Sequence, residues 1–323
     1  MNTIPSRKVV IVGAGAVGSE AAYALAQSGA AEEIVLTDLN ADLATGQALD
    51  LAHGAPFYPA VSISAAPAPE AYRNAAVVVV TAGKAQAGPD QSRLDLLAVN
   101  SRIVSSVAAQ VKSVAPDAIL LVVSNPVDIL THVARLRTDW PAGRIFGSGT
   151  VLDSARFRWL LATHCGVSPQ NVHASILGEH GDTEFAAWSL SHVGGVPFDA
   201  YCSSCGRCDD SASRRAAVET EVRQSAYHII GYKGSTSYGV GMAIRTIVSA
   251  VLRNERRILT VSAALDGEYG LSGVTLGVPC IVGANGVERI LDVPLPPAEL
   301  ASLRRSAATL QSTLAALETN TTA

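Results

Sequence analysis

Three glycines in the run Gly13-Ala14-Gly15-Ala16-Val17-Gly18 follow a short apolar segment, Lys8–Val12, and open an alanine-rich stretch that reads as a helix to Ser28. G-x-G-x-x-G between a strand and a helix lets the first glycine make a tight turn. The second admits a pyrophosphate against the backbone, and the third packs helix on strand. The helix then presents its positive end to the phosphates. Val17 belongs to the same turn and completes the candidate cradle. Asp38 stands twenty residues past Gly18, at the end of a second apolar segment, Glu33–Thr37. A carboxylate there accepts hydrogen bonds from both ribose hydroxyls of a dinucleotide, whereas Leu39 and Asn40 offer no arginine for a 2′-phosphate. The cofactor this predicts is NAD rather than NADP. A structural turn with an unrelated surface Asp is the weaker reading of the same residues.

The rest of the first half alternates in the same way. Ala41–Gly54 carries apolar residues at helical spacing, and Val77–Thr81 is four valines and a threonine. Such a run suits a strand buried on both faces of a parallel sheet. Ser92–Val114 reads as a long helix, Ile119–Ser124 as a buried strand, Val127–Arg137 as a helix and Arg144–Phe146 as a short strand. The fold class is α/β, a doubly wound parallel (Rossmann) sheet. After the Gly-Ser-Gly break at 147–149 the pattern changes. A helix at Leu152–His164 leads to strand-like Asn171–Leu177, then helices near 211–231 and 237–254, strands between Ile258 and Ile290, and a C-terminal helix after Pro296-Pro297. We expect an NAD-binding domain over 1–147 and an α+β substrate domain over 148–323.

Composition excludes several classes. With 24 basic against 28 acidic residues and a net charge of −4, the chain has no global positive field for nucleic acid. Mean hydropathy is high, +0.27. Yet the longest apolar runs, Ala75–Ala82 and Ala118–Val123, fall far short of the ~20 residues that cross a bilayer. Lys8–Ala26 holds three glycines and Glu20 and lacks a cleavage site, so it is read as strand, turn and helix, and the protein as cytoplasmic. Five cysteines argue against a disulfide framework. Cys202, Cys205 and Cys208 have metal-like spacing but no evident fourth ligand beyond Cys165, His192 or His228. They are read as incidental thiols in a solvated loop, and no metal is expected.

The polar, Gly-flanked Gly178-Glu179-His180-Gly181-Asp182 follows an apolar segment. A histidine there can move a proton at neutral pH. Asp153 and Arg156, three apart on one helix, share a face. An Asp can orient an imidazole, and an Arg can grip a carboxylate. Asp153 could also serve the helix dipole, with Thr150 as a capping-box partner, and the two roles are compatible. Arg158 lies about 200° around the helix from Arg156 and must face something else. Gly83–Ser92 joins a buried strand to a helix where α/β sheets bind ligands, and its composition suits a lid that would carry Arg93 inwards.

Thr81-Ala82-Gly83, Ser92–Leu96, Ser124–Asp128, Gly147–Arg158, Gly178–Asp182 and Lys233–Thr236 together resemble the L-lactate/malate dehydrogenase family over essentially the whole chain, and its bacterial L-lactate branch most closely. The resemblance implies hydride transfer between NAD and a 2-hydroxy acid, with L-lactate and pyruvate as substrates. It makes His180 the acid–base, Asp153 its orienter, Arg156 the clamp on the substrate carboxylate and Arg93 the group that polarises the C2 oxygen. Asn125 would bind near the reacting carbonyl and the nicotinamide ribose, Gly83 would face the cofactor, and Thr236 would line the substrate pocket.

The specificity position falls on Gln86 counted forwards from Gly83, or on Ala87 counted backwards from Arg93, because the lid is one residue longer than the family pattern. Neither is basic, and Lys84 is the only nearby charge. Malate is therefore disfavoured, and Ala87 would admit larger 2-oxo acids. Arg158 and His173 match positions that bind fructose 1,6-bisphosphate between subunits, so the resemblance implies this effector and a homotetramer. Interface charges without an effector are the alternative. A catalytically silent NAD-binding protein would be expected to lack His180, Asp153, Arg156 or Arg93, and all four are present.

Overall fold

Branched apolar runs in the first half become the strands of one parallel sheet. In the computed structural model, which describes residues 6–84, 93–207 and 211–321, these are β1 (Lys8–Val12), β2 (Glu33–Thr37), β3 (Ser62–Ala65), β4 (Val77–Val80), β5 (Ile119–Val122) and β6 (Ile145–Gly147). Helices α1 (Ala16–Ala26), α2 (Ala41–His53), α3 (Arg93–Val114) and α4 (Val127–Arg137) lie between them. The strands are ordered β3-β2-β1-β4-β5-β6, the doubly wound arrangement with its crevice at the carboxyl ends of β1 and β4. Every residue of β4 and β5 is buried, as expected for central strands without a polar face. Asn40 starts α2 by accepting a bond from the Leu43 amide at 3.1 Å.

β3 carries no apolar run. Ser62-Ile63-Ser64-Ala65 alternates between exposed and half-buried positions at the sheet edge, which explains why composition does not reveal it.

The second half begins with α5 (Val151–Cys165), which leads into short strands β7 (Val172–His173), β8 (Ile176–Leu177), β9 (Phe185–Ala186), β10 (His192–Val193) and β11 (Val196–Pro197). The expected strand over 171–177 is thus two short pieces that pair with different partners. Then come α6 (Phe198–Cys205), α7 (Ser211–Lys233), α8 (Tyr238–Leu252), β12 (Arg257–Asp266), β13 (Ser272–Gly283), β14 (Gly286–Ile290) and α9 (Pro297–Thr321). β12 pairs with β6 through Ser262 and Gly147, so β12, β13 and β14 extend the parallel sheet into one of nine strands. Two positions of that seam admit only glycine. A Cβ on Gly147 would lie 2.6 Å from the Thr131 hydroxyl, and one on Gly149, at φ +53°, would lie 2.4 Å from the Ser262 amide. A smaller core joins Phe157, Leu161, Ile176, Phe198 and Val222, with Trp188 edge-on to Phe157 at 4.9 Å.

The cysteine expectation is corrected. Residues 198–205 form α6, closed by Gly206 at φ +67°, and not a solvated loop. Cys202 is disulfide-bonded, while Cys165, Cys205 and Cys280 carry thiols; Cys208 lies outside the described residues. The helical turn brings the Cys205 thiol against the Cys202 carbonyl at 3.5 Å. Among the described residues no helix is long and apolar enough to cross a membrane.

A Cβ on Gly18 would sit 1.8 Å from the Gly13 carbonyl, whereas one on Gly15 meets nothing within 4 Å. Gly18→Ala is therefore expected to lower stability by about 1–3 kcal/mol in urea unfolding, and Gly15→Ala by clearly less. Equal midpoints for the two variants would contradict this packing.

Candidate active site

The cofactor cleft is built where β1 meets α1. Gly13 turns at φ +104° against Thr81 and Ala82, and the Thr81 hydroxyl donates to the carbonyls of Val12 and Gly13 at 3.0 Å. α1 starts after Gly15 with no side-chain cap and no acidic residue in its first turn, and among the described residues a Cβ on Gly15 would meet nothing within 4 Å, which leaves room for a ligand at its amides and positive end. Asp38 leaves the end of β2 and accepts from the Ala14 amide at 2.7 Å and the Asn40 amide at 2.9 Å. Its carboxylate is thereby fixed beside the turn. These residues fit a dinucleotide, with the pyrophosphate on the α1 amides and the adenosine ribose on Asp38. Gly83 follows β4, and Asn100 behind it anchors the chain by accepting from the Lys84 amide at 2.8 Å.

Next to this cleft is a cavity of about 470 Å³ whose wall includes Lys84, Asn125, Asp153, Arg156, His180 and Glu184. Asp153, in the first turn of α5, is 1% exposed and uses both oxygens. Oδ2 lies 2.6 Å from His180 Nδ1, and Oδ1 accepts from Arg156 at 2.7 Å. The capping-box reading of Asp153 fails, because the Thr150 hydroxyl donates instead to the Ile176 carbonyl at 2.6 Å and makes no cap bond. That bond docks the start of α5 on β8, and paired amides of Gly178 and Gly277 hold the following loop to β13. The His180 backbone amide donates to Asp128 Oδ2 at 2.7 Å, and Ser262 donates to the other oxygen of that buried carboxylate.

These contacts set the charges. Burial works to raise the Asp153 pKa, but His180 and Arg156 outweigh it and hold the group below the ordinary carboxylate range. The Asp153 charge, against the opposing effect of burial, pushes His180 up to about 9. Burial raises Asp128 to about 6 despite its bonds to Ser262 and the His180 amide. Burial, seconded by the Asp153 charge, raises Glu184 to about 8. At neutral pH the imidazole is thus a proton donor, its second nitrogen without a hydrogen-bond partner among the described residues, with the Arg156 guanidinium beside it. Such a site can protonate an oxygen while gripping a carboxylate.

Of the sequence candidates, the structure brings His180, Asp153, Arg156 and Asn125 together around one cavity. Thr236 lies in the turn between α7 and α8 and is not among the residues that line that cavity. Arg93 opens α3, with its side chain outside the described residues, as are Gln86 and Ala87 entirely. Arg158 and His173 line a separate cavity of about 470 Å³, where Arg158 donates to the Val172 carbonyl at 2.7 Å. Sequence reasoning missed Asp128 and Glu184. Asp128 stood in the Ser124–Asp128 motif and Glu184 four residues past His180, but burial, the property that matters, has no signature in either segment. Among the described residues, the one His/Cys/Asp/Glu group compact enough for a metal is Asp153, His180 and Glu184; no cysteine takes part.

Residues 7–147 match the lactate/malate dehydrogenase NAD-binding domain, and residues 150–320 match the lactate/malate dehydrogenase alpha/beta C-terminal domain. The chain is 52% identical over 307 residues to an L-lactate dehydrogenase of Treponema denticola, covering 94% of this chain and 96% of that protein. It is 49% identical over 311 residues to an L-lactate dehydrogenase of Thermoanaerobacterium saccharolyticum, covering 96% and 99%. Among solved structures, the minor L-lactate dehydrogenase of Enterococcus mundtii superposes with a TM-score of 0.92 at 42% identity, covering 97% of this chain and 98% of that one.

Replacing Asp38 by Ser removes the charged acceptor from the cofactor cleft. NADH affinity, followed by fluorescence titration, is expected to fall about 10- to 100-fold; unchanged affinity would remove Asp38 from the site.

Proposed function

Since the chain belongs to the lactate/malate dehydrogenase family, we propose that it interconverts L-lactate and pyruvate, with residues 1–147 as the NAD-binding unit and 148–323 as the substrate unit. The observation that carries this reading is the double use of Asp153, which holds a proton donor and a carboxylate clamp side by side. Arg156 spends one nitrogen on Asp153 and keeps the rest of its guanidinium fork for the substrate carboxylate. With Nδ1 locked on Asp153, His180 delivers its proton from Nε2 to the C2 oxygen of pyruvate, and takes it back from the lactate hydroxyl. Bound NAD supplies the hydride acceptor and, reduced, the hydride donor. Asn125 bonds the reacting carbonyl and Arg93 polarises it.

Lactate is favoured over malate because neither Gln86 nor Ala87 offers a cation to a second carboxylate, and an unpaired buried carboxylate costs several kcal/mol. The names of the relatives agree. Larger 2-oxo acids follow if Ala87 occupies the specificity position. Arg158 and His173 are assigned to the phosphates of fructose 1,6-bisphosphate at an interface between copies of this chain, in a homotetramer. Exposed Met242 and Ile258 on the wall of their cavity support burial there. The enzyme is placed in the cytoplasm.

NADH oxidation is measured with pyruvate and with oxaloacetate in parallel, each with and without fructose 1,6-bisphosphate. Pyruvate is expected to be preferred by at least ~100-fold in kcat/KM, the worth of a buried charge left unpaired. Preference for oxaloacetate overturns the substrate assignment. The bisphosphate is expected to activate the enzyme, and the Arg158→Gln, His173→Ala double variant to lose that activation; retained activation places the effector elsewhere.

A further inference from the structure

Glu184 is 5% exposed, on the wall of the same cavity, and the mechanism above does not use it. One oxygen of its carboxylate, one of Asp153 and a ring nitrogen of His180 all lie within 4.8 Å of one another. Among the described residues no hydrogen bond reaches the Glu184 side chain, and its carboxylate opens onto the cavity beside His180. A glutamate required only for packing would be replaced at no loss by an apolar residue; a buried, unbonded acid facing an imidazole instead points to an electrostatic role.

We propose that Glu184 is a positioning residue for the His180 proton: as a second carboxylate beside the imidazole, it raises the pH at which His180 gives that proton up, and so sets the alkaline limit of pyruvate reduction. The inference rests on His180 as the proton carrier. Every charged group facing the pair enters the balance. Asp153 and Arg156 approach from α5, Asp128 from α4, Glu179 and Asp182 from the same loop, Arg223 and Tyr227 from α7, and Lys84 from the segment after β4. Arg223 bonds the Glu184 backbone carbonyl at 3.4 Å and lies 3.7 Å from Glu219, so its charge is partly answered elsewhere. Both groups hold their protons above their ordinary values, Glu184 through burial and the Asp153 charge, His180 chiefly through the Asp153 charge with Glu184 adding to it. The two groups lose their protons in two coupled steps.

The test compares Glu184→Gln and Glu184→Asp with the unmodified enzyme. Two readouts are taken: the pH profile of kcat/KM for pyruvate reduction, and the NMR titration of the His180 ring without cofactor. The amide in Glu184→Gln cannot ionise, so the alkaline limb and the His180 midpoint are expected to move together to lower pH by about one unit. Glu184→Asp keeps the charge but withdraws it by a methylene, so its midpoint falls between the other two; it carries the test alone if the Gln variant is not recovered folded. A His180 midpoint that stays in place in folded variants overturns the proposal, and a shift to higher pH does so equally. His180→Gln separates the two layers. Retained turnover there removes the proton carrier itself, whereas lost turnover with an unmoved midpoint in Glu184→Gln removes only the role of Glu184.

Discussion

Asp153 accepts from two cations at once while almost wholly buried, and most of the surrounding structure serves to hold it there. An isolated carboxylate at 1% exposure would be neutralised, because desolvation penalises its charge. It stays ionised only because His180 and Arg156 sit on its two oxygens at 2.6 and 2.7 Å. Those partners come from different segments. Arg156 follows on the same helix, so its position needs only a formed turn. His180 comes from a loop that must be pinned independently, and Asp128, Ser262, Gly178 and Gly277 all contribute to the pinning. The seam between β6 and β12 therefore has a chemical consequence. The small residues Gly147, Gly149 and Ser262 let the parallel and antiparallel strands close into one sheet. That closure brings α4, α5 and the 178–182 loop within hydrogen-bond reach of each other.

Local chemistry was readable wherever a short segment carries its own reason. The glycine turn, the valines of β4 and the i, i+3 pair of Asp153 and Arg156 each need only neighbours a few residues away. The same holds for the opposed directions of Arg156 and Arg158, which now line separate cavities. Features that depend on distant partners were not readable. Edge strand β3 forms because β2 offers it a ladder, not because Ser62–Ala65 is apolar. Helix α6 replaces the loop inferred from Ser, Gly and Cys content, because Phe198 inserts into the small core beside Trp188. Thr150 looked like a capping residue and instead docks α5 on β8.

Charge at the site follows the same division. A histidine after a glycine is only a candidate; its basicity comes from Asp153, 27 residues earlier in the chain, and from burial that works against it. The burial of Asp128 and Glu184 has no local mark, yet each is a buried acid within the field of the same imidazole. The cluster thus holds several carboxylates whose proton affinities are spread apart by environment, a pattern that suits a site where a proton is stored and released.

The most direct measurement of this account is the NMR titration of the His180 ring in Asp153→Asn. Losing the charge while keeping the shape should drop the midpoint from about 9 to the ordinary histidine value of 6.5 or below, since burial then acts unopposed by its largest counterweight. At neutral pH the ring would change from proton donor to largely neutral. A midpoint still near 9 in the folded variant would mean that Asp153 does not hold the His180 proton, and the central claim would be wrong.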